Sequence, residues 1–484
     1  MRSEIDVLII GAGFGGIGMG ISLLNAGSRN FLIVEKEAEV GGTWRDNTYP
    51  GSACDTESHL YCFSFLPNKS VSRVYARQPE LLSYIHRLVD EFGLNEFLRF
   101  NTSVEKLEWD SQAKKWSVHL DTGDVIAAKN VITGWGQLNR PSIPVIPGQG
   151  DFKGVSFHSA RWRHDVPLKG KRVASIGNAA SAIQYIPEIA PIVSHLDVFQ
   201  RSPNWVVPRL DRPYTHDEMR VFEVIPGQFE RSRAGIFDFR EGVFQRMLAG
   251  TESAKDLEKT AMAHLRSQVS DVELQKKLTP DYPIGCKRIL RSDDYYPALT
   301  RDNVELITDR IERVVPEGIV TSDGKLHALD VIIYGTGFET RTFQGPVDVL
   351  GEDGLSLRDF WSGEPRAYLG ICIPKFPNFF MLYGPNTNLG HNSILQMLEA
   401  QFNYILQGLA LQRESGAEAT SVSDDAFTEF DRKVQSDIEK SAWAGSCNSW
   451  YKTESGRVVN NWSGTVREYQ AATSHLERAD FQSR

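Results

Sequence analysis

Apolar residues in this chain come in short unbroken runs that end in glycine, and the pattern recurs. Residues 5–16, IDVLIIGAGFGG, are the first instance. Val7 to Ile10 follow one another without polar alternation, which predicts a parallel strand covered on both faces. Beyond the glycines, Ile17, Ile21 and Leu24 keep helical spacing until Ala26-Gly27 stops them. Phe31 to Val34 predicts the next strand. Residues 78–92 read as a helix, with Leu82, Ile85 and Val89 on one face and Pro79 in the first turn. Strands are expected around 104–109 and 116–120, and a turn at Asp121 to Asp124 leads into Val125-Ile126. Val131 to Gly134 is a further buried strand.

A second round begins after a proline-rich connector, residues 139–148. Val173 to Ile176 predict a strand, a glycine turn follows at Gly177, Ile183 and Ile186 mark a helix, and Leu196 to Phe199 a second strand. Residues 211–280 are polar, with Glu, Arg, Gln and Phe at helical spacing, and predict an inserted helical lobe. Residues 281–329 return to the second unit. Asp330 to Gly337 then repeats the design of the strand ending at Gly134, so the chain is expected to re-enter its first domain there. Asn378 to Tyr383 is another buried strand, and Ser393 opens a helix through Ile394, Met397 and Leu398.

The turns carry candidate chemistry. Gly11, Gly13 and Gly16 have the GxGxxG spacing: a tight turn, a close approach to pyrophosphate, and close packing of helix on strand. Glu35, at the end of the next strand, can accept hydrogen bonds from an adenosine ribose and repels a 2′-phosphate, so FAD or NAD suits this site. The second turn is GxAxxA from Gly177 through Ala179 and Ser181 to Ala182, and the stretch Gln200-Arg201-Ser202 stands where the first unit has Glu35. Arginine grips a 2′-phosphate with two donors, which points to NADP(H). The expected fold is therefore α/β with two dinucleotide-binding, Rossmann-like domains. The FAD domain comprises 1–138 and 330–484, the latter with a C-terminal loop region. The NADP domain, 139–210 and 281–329, is inserted in it and carries the helical insertion 211–280.

Between these landmarks, the glycine-rich loop 36–55 threads Trp44, Arg45, Tyr49, Cys54 and Asp55 across the first domain. Asp55 reads either as a base or acceptor beside a planar ring or as a turn cap. Lys287 and Arg288 are adjacent, so on an extended chain one can serve a phosphate while the other faces elsewhere. The tail from Cys447 either covers an active site or simply packs.

Composition narrows the class. With 484 residues, 41% hydrophobic, the chain can bury a large core in two or three domains. A formal charge of −9 without a basic run argues against nucleic acid. No apolar stretch is long enough for a membrane span and no secretory leader is read. The five cysteines are widely spaced and odd in number, which suits a reducing cytoplasm, and no metal site is expected.

Four stretches together resemble the Baeyer–Villiger type of flavoprotein monooxygenase (class B), over almost the whole length. FKGVSFHSARW, residues 152–162, matches the signature FxGxxxHxxxW through Phe152, Gly154, His158 and Trp162. GGTWRDNTYPGSACD, residues 41–55, matches a second conserved stretch, within which Thr43 and Trp44 are implied cofactor contacts and Asp55 the terminal acid. FQRSPNW at 199–205 and GCKRI at 285–289 complete the set, and YGTGF and GPNTNLGHNS agree. Arg163 and Ala179 depart from the usual residues. The resemblance implies that NADPH reduces FAD, that O2 then gives a C4a-peroxyflavin, and that a Criegee-type adduct rearranges a ketone to an ester or lactone. It implies Arg288 as the stabiliser of negative oxygen and Asp55 as the acid that holds it. It further implies Lys287 and Arg201 as 2′-phosphate ligands, His158 and Trp162, in the connector between the domains, as domain-coupling residues, and Trp450 as part of a closing loop. Small-molecule ketone and O2 are then the partners, with monomer and dimer both open. N- or S-oxygenating flavin monooxygenases are the alternative, and Trp162 argues against them. The charge pattern at the second turn predicts strong preference for NADPH over NADH. Arg201→Ala should raise the Michaelis constant for NADPH far more than that for NADH; equal use of both coenzymes by the unmodified protein would refute the assignment.

Overall fold

The computed structural model describes residues 4–445, 447 and 449–483. Its frame is two sheets, each entered by a strand, a glycine turn and a helix. In the first, β1 (Glu4–Ile10) lies between β2 (Phe31–Val34) and β3 (Val125–Thr133), parallel to both. Leu8 and Ile9 point to opposite faces and enter two different apolar cores, which is why this strand has no polar alternation. The helix α1 (Phe14–Asn25) follows the turn. The second sheet is all parallel, with β4 (Val155–His158) at one edge. Inward from it come β8 (Val331–Tyr334), β5 (Arg172–Ile176), β6 (His195–Phe199) and β7 (Val304–Ile307).

Two expectations about the chain path change here. Val331–Tyr334 belongs to the second sheet, between β4 and β5, so the return to the first domain falls after Tyr334 and not at 330. His158 lies at the end of an edge strand of the second sheet rather than in a free connector. The true returns are β9 (Phe379–Met381), which continues along β3, and the short strand Asp348–Leu350. The misreading has a physical basis, because the two domains use one turn twice. Gly11 N–H donates to Val34 O at 2.8 Å and Gly134 N–H to Ile10 O at 2.8 Å. In the second domain Gly177 N–H donates to Phe199 O at 3.0 Å and Gly335 N–H to Ile176 O at 2.9 Å. Gly335 thus stands to Gly177 as Gly134 stands to Gly11. Both turn glycines have positive φ, +99° and +106°, and a Cβ on either would strike the facing glycine carbonyl at 2.7 and 2.4 Å.

Residues 211–280 are helical as expected, with α2 (Gln228–Val243) the longest element facing the first domain. Thr215, Thr251 and Asp271 each accept a backbone N–H three residues on and so start the other three helices of the lobe. The helix α3 (Ile394–Ser415) starts at Ser393, whose hydroxyl accepts from Leu395 N–H, and stops at Gly416 with φ +67°. No helix among the described residues is long and apolar enough to cross a membrane.

The cysteines include a pairing that the sequence did not show. Cys286 and Cys447, separated by 161 residues, form a disulfide, while Cys54, Cys62 and Cys372 are free and buried. Spacing alone conceals a pair that only the fold brings together.

Gly16 shows how tightly the first turn is built: a Cβ there would lie 1.8 Å from Gly11 O. Gly16→Ala should lower unfolding stability by about 2–3 kcal/mol and strip the flavin. Thermal melting together with the flavin absorbance of purified protein reads both effects.

Candidate active site

The two glycine turns open on one cavity of about 1660 Å³. Gly11, Gly13, Glu35, Thr43 and Trp44 line its first end, and Gly177, Ser181, Arg201 and Lys287 its second. Asp55, Arg288 and Trp450 also line it. Gly16 lies beneath the turn, in its helix-packing role. His158 and Trp162 stay outside the cavity wall.

At the first end, Glu35 is buried at the end of β2. Its Oε2 accepts from Ala12 N–H at 2.8 Å, and its Oε1 from Glu37 N–H at 3.1 Å and Arg45 Nη1 at 3.2 Å. A carboxylate has about four acceptor sites, so a ribose can still be met. With a crossing too close for any Cβ and the backbone N–H groups of the α1 terminus, this end fits the pyrophosphate and adenosine of FAD.

At the second end Lys287 Nζ donates to Ser202 Oγ at 3.0 Å and stands 4.4 Å from the Tyr282 ring centre. Burial and the neighbouring Arg201 charge both push the Lys287 ammonium below its usual range. Two cations facing one hollow favour a doubly charged anion, and the residues fit the 2′-phosphate of NADP(H). Ala179 is exposed and lines the cavity at the second turn. Arg163 is solvated and paired with Asp165 at 2.6 Å.

Between the ends, Arg288 Nη2 donates to Asp55 Oδ2. The side chains retain 35% and 34% exposure, and both line the cavity. Burial by itself would raise the Asp55 carboxyl; Arg288, with Arg240 and Arg209 behind it, overcomes this and holds it down at about 2. Asp55 in turn raises the guanidinium of Arg288 above its already high value. Tyr383 and Tyr451 also act on Arg288, and burial pushes both hydroxyls up, that of Tyr451 to about 12. They are neutral at pH 7, so Arg288 faces the cavity as a cation with one committed acid.

Sequence reasoning missed how Asp55 is held. Arg240, on α2, donates from Nη2 to Asp55 O at 3.0 Å and from Nε to Glu57 Oε2 at 2.8 Å. Arg209 Nη2 donates to Cys54 O at 2.7 Å. The next residue of α2, Glu241, accepts from Asn392 Nδ2 at 2.7 Å and from the N–H groups of Val466 and Arg467 at 3.1 and 3.0 Å. The helical insertion therefore fastens both the Asp55 loop and the Asn392 loop, and Asn392 lines the cavity. Nothing in the local pattern of 211–280 marks these two residues. Ser202 was within reach, since it sits inside the FQRSPNW stretch.

His158 Nδ1 accepts from Ala160 N–H at 3.1 Å, and burial lowers the imidazole to about 4. Its ring lies 5.7 Å from that of Phe338, a cavity residue. Trp162 packs on Phe157 and Tyr185 at 5.3 and 5.5 Å. Between them, Arg161 reaches Asp46 of the first domain at 3.4 Å. The Trp450 carbonyl accepts from Thr340 Oγ1 at 3.4 Å, and its ring packs on Tyr451.

A model of pyridine nucleotide-disulphide oxidoreductases matches residues 8–221. The chain is 42% identical over 480 residues to a Baeyer–Villiger monooxygenase of Pseudomonas aeruginosa, covering 98% of this chain and 90% of that one. A Baeyer–Villiger monooxygenase of Streptomyces coelicolor is 38% identical over 484 residues, with 100% and 93% covered. This chain belongs to the Baeyer–Villiger monooxygenase family. Among solved structures, that of OTEMO in complex with FAD and NADP is 30% identical with a TM-score of 0.90, covering 99% of both chains. A closed cyclohexanone monooxygenase is 28% identical with a TM-score of 0.91, covering 100% of both. The protein is an NADPH- and FAD-dependent monooxygenase of the Baeyer–Villiger type. The disulphide-oxidoreductase model reflects the shared nucleotide scaffold; Cys54 and Cys62, in the first-domain loop, are free thiols.

Arg240→Lys keeps the charge opposite Glu57 but shortens the reach to Asp55 O. We expect kcat to fall about tenfold with the Michaelis constant for NADPH little changed, measured by steady-state kinetics. The pH dependence follows from the sign of the Asp55 shift. Its folded value, about 2, lies below the unfolded one, so the pair is fully ionised above about pH 4 and is lost only as pH falls through about 2. The pH–rate profile from about 5 to 9 should therefore contain no limb from Asp55.

Proposed function

We propose that this monooxygenase inserts one oxygen atom of O2 beside the carbonyl of an apolar ketone to give an ester or lactone. The observation that carries this is the Asp55–Arg288 pair, a permanently charged donor facing the common cavity and held by an acid. Bound FAD, reduced by NADPH, supplies the activation of O2. The chain supplies placement and charge.

Lys287, Arg201 and Ser202 hold the 2′-phosphate and so fix the coenzyme at the second end. Arg288 stabilises the negative charge that develops on oxygen as the carbonyl is attacked, and Asp55 keeps the guanidinium aimed at it. Neither group transfers a proton at neutral pH, because their shifts lie in the directions that preserve charge. An N- or S-oxygenating enzyme has no developing oxyanion to stabilise and no comparable need for such a cation. The substrate hydrocarbon rests on Leu389, Ile394 and Trp450, which pack in one cluster with Ile289, the neighbour of Arg288. His158 and Trp162 couple the second sheet to the first-domain loop through Arg161 and Phe338. The relatives act on cyclohexanone and steroids by their names, and a ketone panel drawn from cyclic, linear and aryl members is the natural screen. We place the enzyme in the cytoplasm, where NADPH is supplied.

Arg288→Ala should leave FAD bound and its reduction by NADPH measurable. Ester formation should fall by about two to three orders of magnitude, the usual effect of removing one oxyanion donor. Stopped-flow flavin absorbance and product yield separate the two steps. Undiminished ester formation would assign the stabilising role elsewhere. Oxidation of sulfides with no ester from any ketone would move the protein to the alternative class.

A further inference from the structure

We propose that Cys286 and Cys447 are a reversible redox site that latches the Lys287–Arg288 loop to the C-terminal segment carrying Trp450. The two sulfurs are bonded, and the partners come from segments 161 residues apart in the sequence. Cys286 directly precedes Lys287 and Arg288; Cys447 lies three residues before Trp450, and Lys287, Arg288 and Trp450 all line the cavity. The contact is close on both sides of the bond. A Cβ on Gly445 would lie 3.3 Å from Cys286 Sγ, and one on Gly285 would lie 3.3 Å from Ala442 Cβ. Lys452 Nζ donates to Gly445 O, which closes the C-terminal segment on itself.

The pair is chemically distinct from the other thiols. Cys54, Cys62 and Cys372 are buried, and burial pushes each thiol up, Cys54 to about 12. None of the three is bonded to a second sulfur. Cys286 is wholly buried beside two cationic residues, whereas Cys447 is partly exposed. Cys447 is thus the thiol that meets a peroxide and Cys286 the one that resolves it. The oxidant is a hydroperoxide, for which hydrogen peroxide is the simplest case. The Cys447 thiolate attacks one peroxide oxygen, the O–O bond breaks, and water leaves behind a sulfenic acid. The Cys286 thiolate then attacks the Cys447 sulfur, the S–S bond forms, the S–O bond breaks and a second water leaves. The two thiols lose two electrons and the peroxide gains them. A dithiol reductant reverses the change by exchange.

The consequence follows from linkage. With the bond closed, the segment bearing Trp450 is covalently tied to the loop bearing Lys287 and Arg288; with it open, the two are joined by packing alone, Ile289 and Trp450 sharing one apolar cluster. A nucleotide that needs both in place binds more tightly to the oxidised protein, and by reciprocity it stabilises the disulfide by the same factor. This step rests on the assignment of Lys287 to the nucleotide.

The test uses the full-length, FAD-loaded protein equilibrated in dithiothreitol redox buffers, with and without NADP+. After unfolding, mass-tagged maleimide should label three cysteines in the oxidised protein and all five in the reduced one. NADP+ should bind about fivefold or more weakly after reduction, and saturating NADP+ should shift the thiol–disulfide equilibrium by the same factor. Cys447→Ser should bind NADP+ at the weaker affinity in both buffers. Five labelled cysteines in every oxidising buffer, or one NADP+ affinity at both extremes, would overturn the proposal; the redox titration of the unaltered protein stands even where the serine variant folds poorly. Lys287→Ala is the separating control. If it binds NADP+ as well as the parent does, the nucleotide assignment has failed, and the labelling count still decides whether the disulfide exists.

Discussion

The Asp55–Arg288 ion pair is the constraint on which the rest of the site depends. It joins a loop of the first domain to a loop of the second across a cavity both must share. Half-buried charges are costly when alone, and the penalty falls when they meet with good geometry and supporting hydrogen bonds. The support is provided from behind: Arg240 and Arg209 donate to the backbone of residues 54–55, so the loop arrives at the cavity in one conformation. A cation poised for a developing oxyanion is useful only if it is already in place, because reorientation during the reaction would forfeit much of its effect.

That dependence explains the helical insertion. It is remote in sequence from every glycine turn, and its surface is largely polar. Yet two adjacent residues of α2 reach in opposite directions, Arg240 to the Asp55 loop and Glu241 to the Asn392 loop and the start of the helix Val466–Ala472. Burial would raise Glu241, but His391 at 3.6 Å and three hydrogen-bond donors, Arg467, Asn392 and Val466, hold its carboxyl down at about 2, so it remains an anion that those donors can share. The lobe works as a bracket whose inner edge defines two cavity walls.

The nucleotide ends of the cavity are built on the same turn but opposite charge. Glu35 at one strand end and Arg201 at the other follow equivalent crossings, Gly11 against Gly134 and Gly177 against Gly335. Backbone geometry therefore makes both ends capable of holding a dinucleotide, and side-chain charge sorts them. The proposed 2′-phosphate pair, Lys287 and Arg201, is electrostatically unfavourable by itself, which makes it selective for a dianion.

By itself the sequence determined the local pieces: strands without alternation, turns that only glycine can make, the charge swap between the two strand ends, and the stretches that carry the family resemblance. These depend on neighbours within a few residues, so a linear pattern contains them. It did not determine which sheet Val331–Tyr334 joins, because identical turn chemistry serves both domains and only strand pairing distinguishes them. Nor did it show Arg240 holding Asp55 across 185 residues, or Cys286 meeting Cys447 across 161. Contacts at such separation leave no periodicity behind; they exist because packing of the helical lobe and the C-terminal segment onto the two domains closes the distance, and only the tertiary structure decides that.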